Sequence, residues 1–256
     1  MHKNPNPVTH LCWSDADRIV IRGKDLCNEL IGHMTFTEMT LFHMLKQPPT
    51  AMQTTIVDAV LVTIMEHGLT PSAISARQTF FGAPEALQGA VAAGILGVGS
   101  RFAGTSGDCA ILLREIVEAD EGEREGVASA IAKRFREARK PLPGYGHPIH
   151  KNGDPRVTRL EQIAMDAGAT GNYIKAMYML GEAINNELRK KLIINASAGM
   201  GAVLAEAGLP PEIMRGIILI SRAAGVVGHL LEEMEEPAAN YMWETIEESI
   251  PYVGTK

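Results

Sequence analysis

Aromatic side chains are scarce in this chain: two Trp, five Tyr and six Phe make up 5 % of 256 residues. Lys and Arg number 24 against 30 Asp and Glu, a net charge of -6, and they form no basic stripe. Such a chain lacks the positive field and the stacking platforms that nucleic acids need, so no nucleic-acid partner is expected. Cysteine is nearly absent. Cys12, Cys27 and Cys109 have no CxxC or ligand-like spacing, and an odd set of this kind argues for reduced, buried thiols in a cytoplasmic protein. No window of about 18 residues escapes charges and breakers, so no membrane span is expected. The opening MHKNPNPVTH lacks the apolar core and cleavage site of a secretion signal. Internal repeats and low-complexity tracts are missing as well.

What is present is mostly helical pattern. Apolar residues make up 46 % of the chain, enough to bury a sizeable core in one large domain or two small ones. One alternating run, Arg18–Arg22 (RIVIR), predicts a strand of a short N-terminal hairpin. After it, TFTEMTLFHML opens with Thr35 or Thr37 as a helix cap. Apolar spacing predicts a helix from Ala51 to about His67, ending at Gly68, and Pro71–Ser72 starts the next. The Ala- and Gly-rich segment Glu85–Phe102 predicts a buried helix that neighbours approach closely. Glu121–Arg139 is strongly charged and predicts a solvated helix. Pro155–Ala167, Tyr173–Lys191 and Pro211–Glu233 each carry a helical stripe, and the methionines of AMYMLGEAINNELRKK read as core. The expected fold class is all-α, a globular bundle without a heptad.

One stretch breaks the helical pattern. Leu142–Arg156 reads LPGYGHPIHKNGDPR. Gly144 and Gly146 bracket Tyr145, and Pro148 disfavours helix at His147, so a fixed loop should present His147 from a turn. Asp154, Pro155 and Arg156 then read as helix cap, first position and first-turn arginine. A histidine so placed either moves a proton near neutral pH or only caps backbone groups; the residues alone leave both open. His147 and His150 lack a third ligand nearby, and no metal is expected.

GYGHPIHKNGDPR resembles the signature of the citrate synthase superfamily: glycine, aromatic, glycine, histidine, then a basic pair and DPR. Further segments are similar in the same order. MEHGLTPSAISAR (Met65–Arg77) resembles the family's first histidine helix. AAGILGVGSRFAGTSGDCA (Ala92–Ala110) resembles its Gly-rich active-site segment, and KKLIINASAGMG (Lys190–Gly201) its catalytic turn. SRAAGVVGHLLEE (Ser221–Glu233) resembles its arginine-bearing helix. The similarity covers nearly the whole chain, and points most to the small citryl-CoA lyase-like members and to the lyase module of ATP-citrate lyase.

That resemblance implies an all-α fold with a large domain, residues 1–104 plus 205–256, and a small inserted one, 105–204, with the site in the cleft between them. It implies homodimers or multiples of dimers. His147 matches the histidine that exchanges a proton with the carbonyl oxygen of the 2-oxo acid. His67 matches the helix histidine that helps hold the carboxylate substrate. Arg156 and Arg222 match carboxylate-binding arginines, whose planar forks suit such anions; the bland reading of Arg222 is a surface ion pair. Arg101 and Phe102 fall in the substrate-binding part of the Gly-rich segment. Arg189, Lys190 and Lys191 either meet coenzyme A phosphates or form the solvated basic end of a helix.

Two positions depart from the full citrate synthase pattern. Phe102 stands where a second histidine meets the thioester oxygen, a feature shared with the ATP-citrate lyase modules. Ser197, in INASAG, stands where the catalytic aspartate exchanges the α-proton of the acyl-CoA. An unassisted serine is a poor base, so cleavage is favoured over ordinary citrate synthesis; Asp108 is the substitute base that nearness in sequence offers. The expected function is C–C bond cleavage or formation between an acyl-CoA (acetyl-CoA) and a 2-oxo acid (oxaloacetate), with coenzyme A entering only as part of the substrate. The rivals are a related lyase or hydrolase acting on another CoA thioester, and a non-catalytic CoA-binding subunit.

Overall fold

The structure, a computed structural model, describes residues 6–146 and 153–254, with the side chain of Arg101 excepted. His147 and His150 therefore lie outside the described residues.

The expected N-terminal hairpin is present and carries a third strand: β1 (Cys12–Ser14), β2 (Ile19–Ile21) and β3 (Lys24–Asp25) pair antiparallel in that order. Trp13 pairs with Val20, and Ile21 with Lys24. Arg22 and Gly23 both take positive φ, which makes the two-residue turn that suits a twisted hairpin. Cys12 and Cys27 are exposed, and Cys109 is the buried thiol. The expectation of three buried thiols is thus corrected: the small sheet lies at the surface, while Cys109 sits inside a helix.

The rest is helical. In order come α1 (Phe36–Leu45), α2 (Ala51–Ile64), α3 (Pro71–Gly82), α4 (Leu87–Ala103), α5 (Thr105–Val117), α6 (Arg124–Glu137), α7 (Pro155–Asp166), α8 (Asn172–Leu188), α9 (Ala196–Glu206), α10 (Pro211–Glu235) and α11 (Ala239–Ser249). Local chemistry explains most starts. Thr35 caps α1, accepting from Glu38 N–H while the Glu38 carboxylate accepts from Thr35 N–H. Thr37, the other cap candidate, is buried and donates to Asp58 instead. Thr50 and Gln53 repeat the box at α2, and Pro occupies the first turn of α3, α7 and α10.

Three helices differ from the reading of the sequence; α8 stops at Leu188, not Lys191, where Arg189 turns left-handed. Helix α2 stops at Ile64, not His67. The Arg222 guanidinium takes the carbonyls of Ile64 and Met65, and the Glu66 carboxylate takes the N–H groups of His67 and Gly68, so the chain leaves the helix there. Helix α4 is interrupted at Gly99, whose φ of 56° and ψ of -175° are not helical. Only glycine takes that backbone readily, and the break redirects Ser100–Phe102.

Two main clusters form the core. Leu41, Ile56, Val60, Leu160, Met200, Leu204, Met214 and Ile217 unite α1, α2, α7, α9 and α10. Leu113, Ile116, Ile131, Tyr145, Met177, Leu180 and Ala202 unite α5, α6, α8 and α9 with the loop before residue 147. Met177, one of the methionines read as core, is fully buried. The ninth helix belongs to both clusters and is enclosed on all sides; from Ala196 to Leu204, only Ser197 is not buried. By length and composition α10 would span a bilayer, but half of its most apolar stretch is buried inside the protein, where it packs against α2, α3, α4 and α5.

Candidate active site

The loop before His147 is fastened to the strand-like segment before α9. Gly146 N–H donates to the Ile193 carbonyl at 2.7 Å, Asn195 N–H to that of Gly144 at 3.0 Å, and Asn195 Nδ2 to that of Gly146 at 2.7 Å. The Tyr145 hydroxyl donates to the Met177 carbonyl, and burial raises its pKa well above the ordinary value. Gly144 takes φ +88°, and a Cβ there would meet Ala198 Cβ at 2.6 Å. No other residue fits this crossing.

After residues 147–152, Asp154 caps α7. Its side chain is fully buried and accepts from four donors: Arg156 N–H at 3.1 Å, Nε at 2.9 Å and Nη2 at 2.8 Å, and Ala196 N–H at 2.9 Å. Burial works to raise the Asp154 carboxyl, but the Arg156 bonds and charge, with the Ala196 bond, outweigh it and leave the pKa lowered. One carboxylate thus orients Arg156 and ties the N-termini of α7 and α9 together.

A cavity of about 320 Å³ opens where these parts meet. His67, Phe102, Arg156, Ser197 and Arg222 all line it, so five of the residues picked from sequence come together. Gly144 and Gly146 line it too, which brings the chain to the cavity wall one residue before His147. Arg222 is only 5 % exposed, and its Nη1 caps α2. Its Nη2 is buried and has no partner among the described residues. Thr70 Oγ1, on the same cavity, is in the same condition. Burial lowers the Arg222 pKa, against the opposing charge of Glu66. A buried guanidinium with an unmatched edge on a cavity is a receptor for an anion, because leaving it unmatched costs the full desolvation of that N–H.

His67 sits on the turn after α2, and Glu66 shapes that turn. Its Oε1 accepts from His67 and Gly68 N–H and meets His229 Nε2 at 3.0 Å. Burial raises the Glu66 carboxyl; the two N–H bonds and His229 together prevail and lower it. His229 Nδ1 faces Arg77, itself buried and paired with Glu232 and Glu233.

Other sequence-based choices fall elsewhere. Asp108 is exposed on the first turn of α5 and does not line the cavity, so nearness in sequence misplaced it. Arg189, Lys190 and Lys191 are exposed after α8; only Lys191 borders a hollow, a second one shared with Asp154 and Ile193. Thr105 carried no local signal, yet its hydroxyl donates to Ser197 Oγ at 2.9 Å on the cavity wall. Asp154 and Asn195 stood inside the recognised motifs, and Asn195 passed unremarked. Among the described residues no cluster of three His, Cys, Asp or Glu is arranged to hold a metal.

Known proteins share this arrangement. The family model described as "Citrate synthase, C-terminal domain" matches residues 19–243. The chain belongs to the citrate synthase family. Within that family it is similar to a structure of citryl-CoA lyase from Hydrogenobacter thermophilus, at 30 % identity and a TM-score of 0.84, over 97 % of this chain and 95 % of that one. A structure of ATP citrate lyase from Methanothrix soehngenii, in complex with citrate and coenzyme A, shares the fold, with 20 % identity and a TM-score of 0.76 over all of this chain and 43 % of that one. Citrate synthase of Haloferax volcanii is 27 % identical over 195 residues, 73 % of this chain. The chain spans about half the length of the curated relatives it matches.

Proposed function

We propose that the protein is a citryl-CoA lyase-like enzyme, cleaving or forming the C–C bond between acetyl-CoA and oxaloacetate. The observation that carries the reading is Arg222 Nη2, buried and without a partner among the described residues, in a side chain on a cavity that Arg156 also lines. Two arginines on one cavity suit a di- or tricarboxylate. The likeness to a citryl-CoA lyase over nearly the full length of both chains supports the same reading.

In the cleavage direction, His147 takes the hydroxyl proton of the citryl group. The bond between the carbinol carbon and the α-carbon breaks, its electrons pass to the thioester enolate, and oxaloacetate remains on the arginines. The enolate then takes a proton. His67 stands by the carboxylate, and histidine and arginine supply the electrophilic stabilisation, so the reading includes no metal. Arg189, Lys190 and Lys191 are placed to meet the phosphates of coenzyme A as it lies across the surface, and segment 105–204 closes on the rest. Assembly as a homodimer belongs to the same reading. The loss of the aspartate at Ser197 also favours a related reaction on a different CoA thioester; a non-catalytic subunit would have no use for the two arginines.

The test mixes the protein and its His147→Ala variant with citryl-CoA and follows free CoA, acetyl-CoA and oxaloacetate separately. Acetyl-CoA and oxaloacetate in equal amounts from the wild type alone are expected. Free CoA alone would mean thioester hydrolysis. Activity near wild type in the variant would remove His147 from its role.

A further inference from the structure

Joining acetyl-CoA to an oxo acid needs a base for the α-proton of the thioester. Every Asp and Glu of the chain lies among the described residues, and none lines the cavity. The carboxylates nearest in sequence to its walls are committed elsewhere. Asp154 is held by four donors, Glu66 by His67 and Gly68 N–H and by His229, and Asp108 faces solvent. Where the family resemblance places an aspartate stands Ser197, whose oxygen accepts from Thr105. Among the described residues no histidine or carboxylate takes the Ser197 proton.

The same corner has a different capacity. Two neutral hydroxyls, Thr105 and Ser197, line the cavity together with the apolar Val98, Met200 and Ile218. An aspartate there would repel a second carboxylate; Ser197, whose oxygen accepts from Thr105, has its own O–H to donate to one. Apolar side chains on the same cavity favour loss of that charge over its retention.

We propose that in the bond-forming direction the acyl donor is a CoA thioester carrying a carboxylate on its α-carbon, a malonyl-type thioester, seated with that carboxylate on the Ser197 hydroxyl, which Thr105 holds in place. The bond from the α-carbon to the carboxylate breaks and CO2 leaves. The electron pair becomes the enolate, which adds to the carbonyl carbon of the 2-oxo acid held by Arg156 and Arg222. The alkoxide so formed takes back the proton that His147 removes in the cleavage direction. No α-proton is abstracted, so this route needs no base in place of the aspartate. This deepens the lyase reading and rests on it.

The experiment supplies malonyl-CoA labelled with carbon-13 in its free carboxyl, with and without oxaloacetate, and acetyl-CoA with oxaloacetate in parallel. Citryl-CoA cleavage is run on the same preparation. Labelled CO2 should appear only with oxaloacetate, together with citryl-CoA or citrate. Because a positioned base is worth about 10² or more in rate, malonyl-CoA should react at least about 100-fold faster than acetyl-CoA. Ser197→Asp should reverse the order, raising acetyl-CoA condensation and lowering malonyl-CoA turnover. Malonyl-CoA left intact while citryl-CoA is cleaved would overturn the donor and leave the lyase reading standing. CO2 without oxaloacetate dependence, or acetyl-CoA reacting as fast, would overturn the donor as well. Failure with every thioester would overturn both.

Discussion

Arg222 divides one guanidinium between two tasks. Nη1 caps the carbonyls of Ile64 and Met65 and so ends α2; Nη2 is buried without a partner among the described residues, in a side chain that lines the cavity. A lysine has a single point of charge on a flexible stem and cannot hold both places. Arg222→Lys should therefore keep the fold and lose the anion. A hydrogen bond to a charged group is worth about 1.5–3 kcal/mol, so citrate affinity measured by calorimetry should fall roughly 10- to 100-fold. Circular dichroism on the same sample checks the fold. Unchanged affinity would take Arg222 out of the site.

Between elements, the seam of α7 and α9 turns on one buried carboxylate. Asp154 accepts from Arg156 at the start of α7 and from Ala196 N–H at the start of α9. Its folded pKa lies below the ordinary 3.8. A depressed carboxyl contributes stability above its unfolded pKa and loses it as pH falls through the folded value. Asp154→Asn should accordingly be less stable than wild type at neutral pH, and the gap should close below about pH 4, the region of the unfolded pKa. Urea midpoints for both proteins at pH 7, 5 and 3 check this; a gap independent of pH would assign the loss to packing alone. The cap at Asp154, though not its bond to the Arg156 guanidinium, was legible in the sequence, because DPR places cap, proline and arginine within three residues. So were the starts of α3, α7 and α10, each marked by a proline. The end of α2 was not, since Arg222 imposes it from more than 150 residues away along the chain. Distance in sequence likewise hid Thr105, which meets Ser197 across 92 residues, and misled the choice of Asp108. His67, Phe102, Arg156, Ser197 and Arg222 were found because each sits inside a recognisable motif.

For the whole molecule, the question is what covers its exposed apolar side chains. Leu96 on α4, Leu231 and Met234 on α10, and Tyr241, Trp243 and Ile246 on α11 are all exposed, as are Ile250, Tyr252 and Val253 beyond α11. These helices belong to one neighbourhood, since α3 packs against α4, α10 and α11, and α10 against α4. A monomer seldom leaves so many large apolar residues in water. A second copy of the chain, applied about a two-fold axis, covers such a face on both partners at once. The dimer implied by the family resemblance fits that need. Light scattering should give twice 27.6 kDa for the wild type at micromolar concentration. Trp243→Glu with Ile246→Glu places charge on the exposed face of α11 without touching the cavity. That double variant should run as a monomer and keep its helical content. A wild type already at 27.6 kDa would show that two copies do not cover this face. A double variant still dimeric would place the interface away from α11.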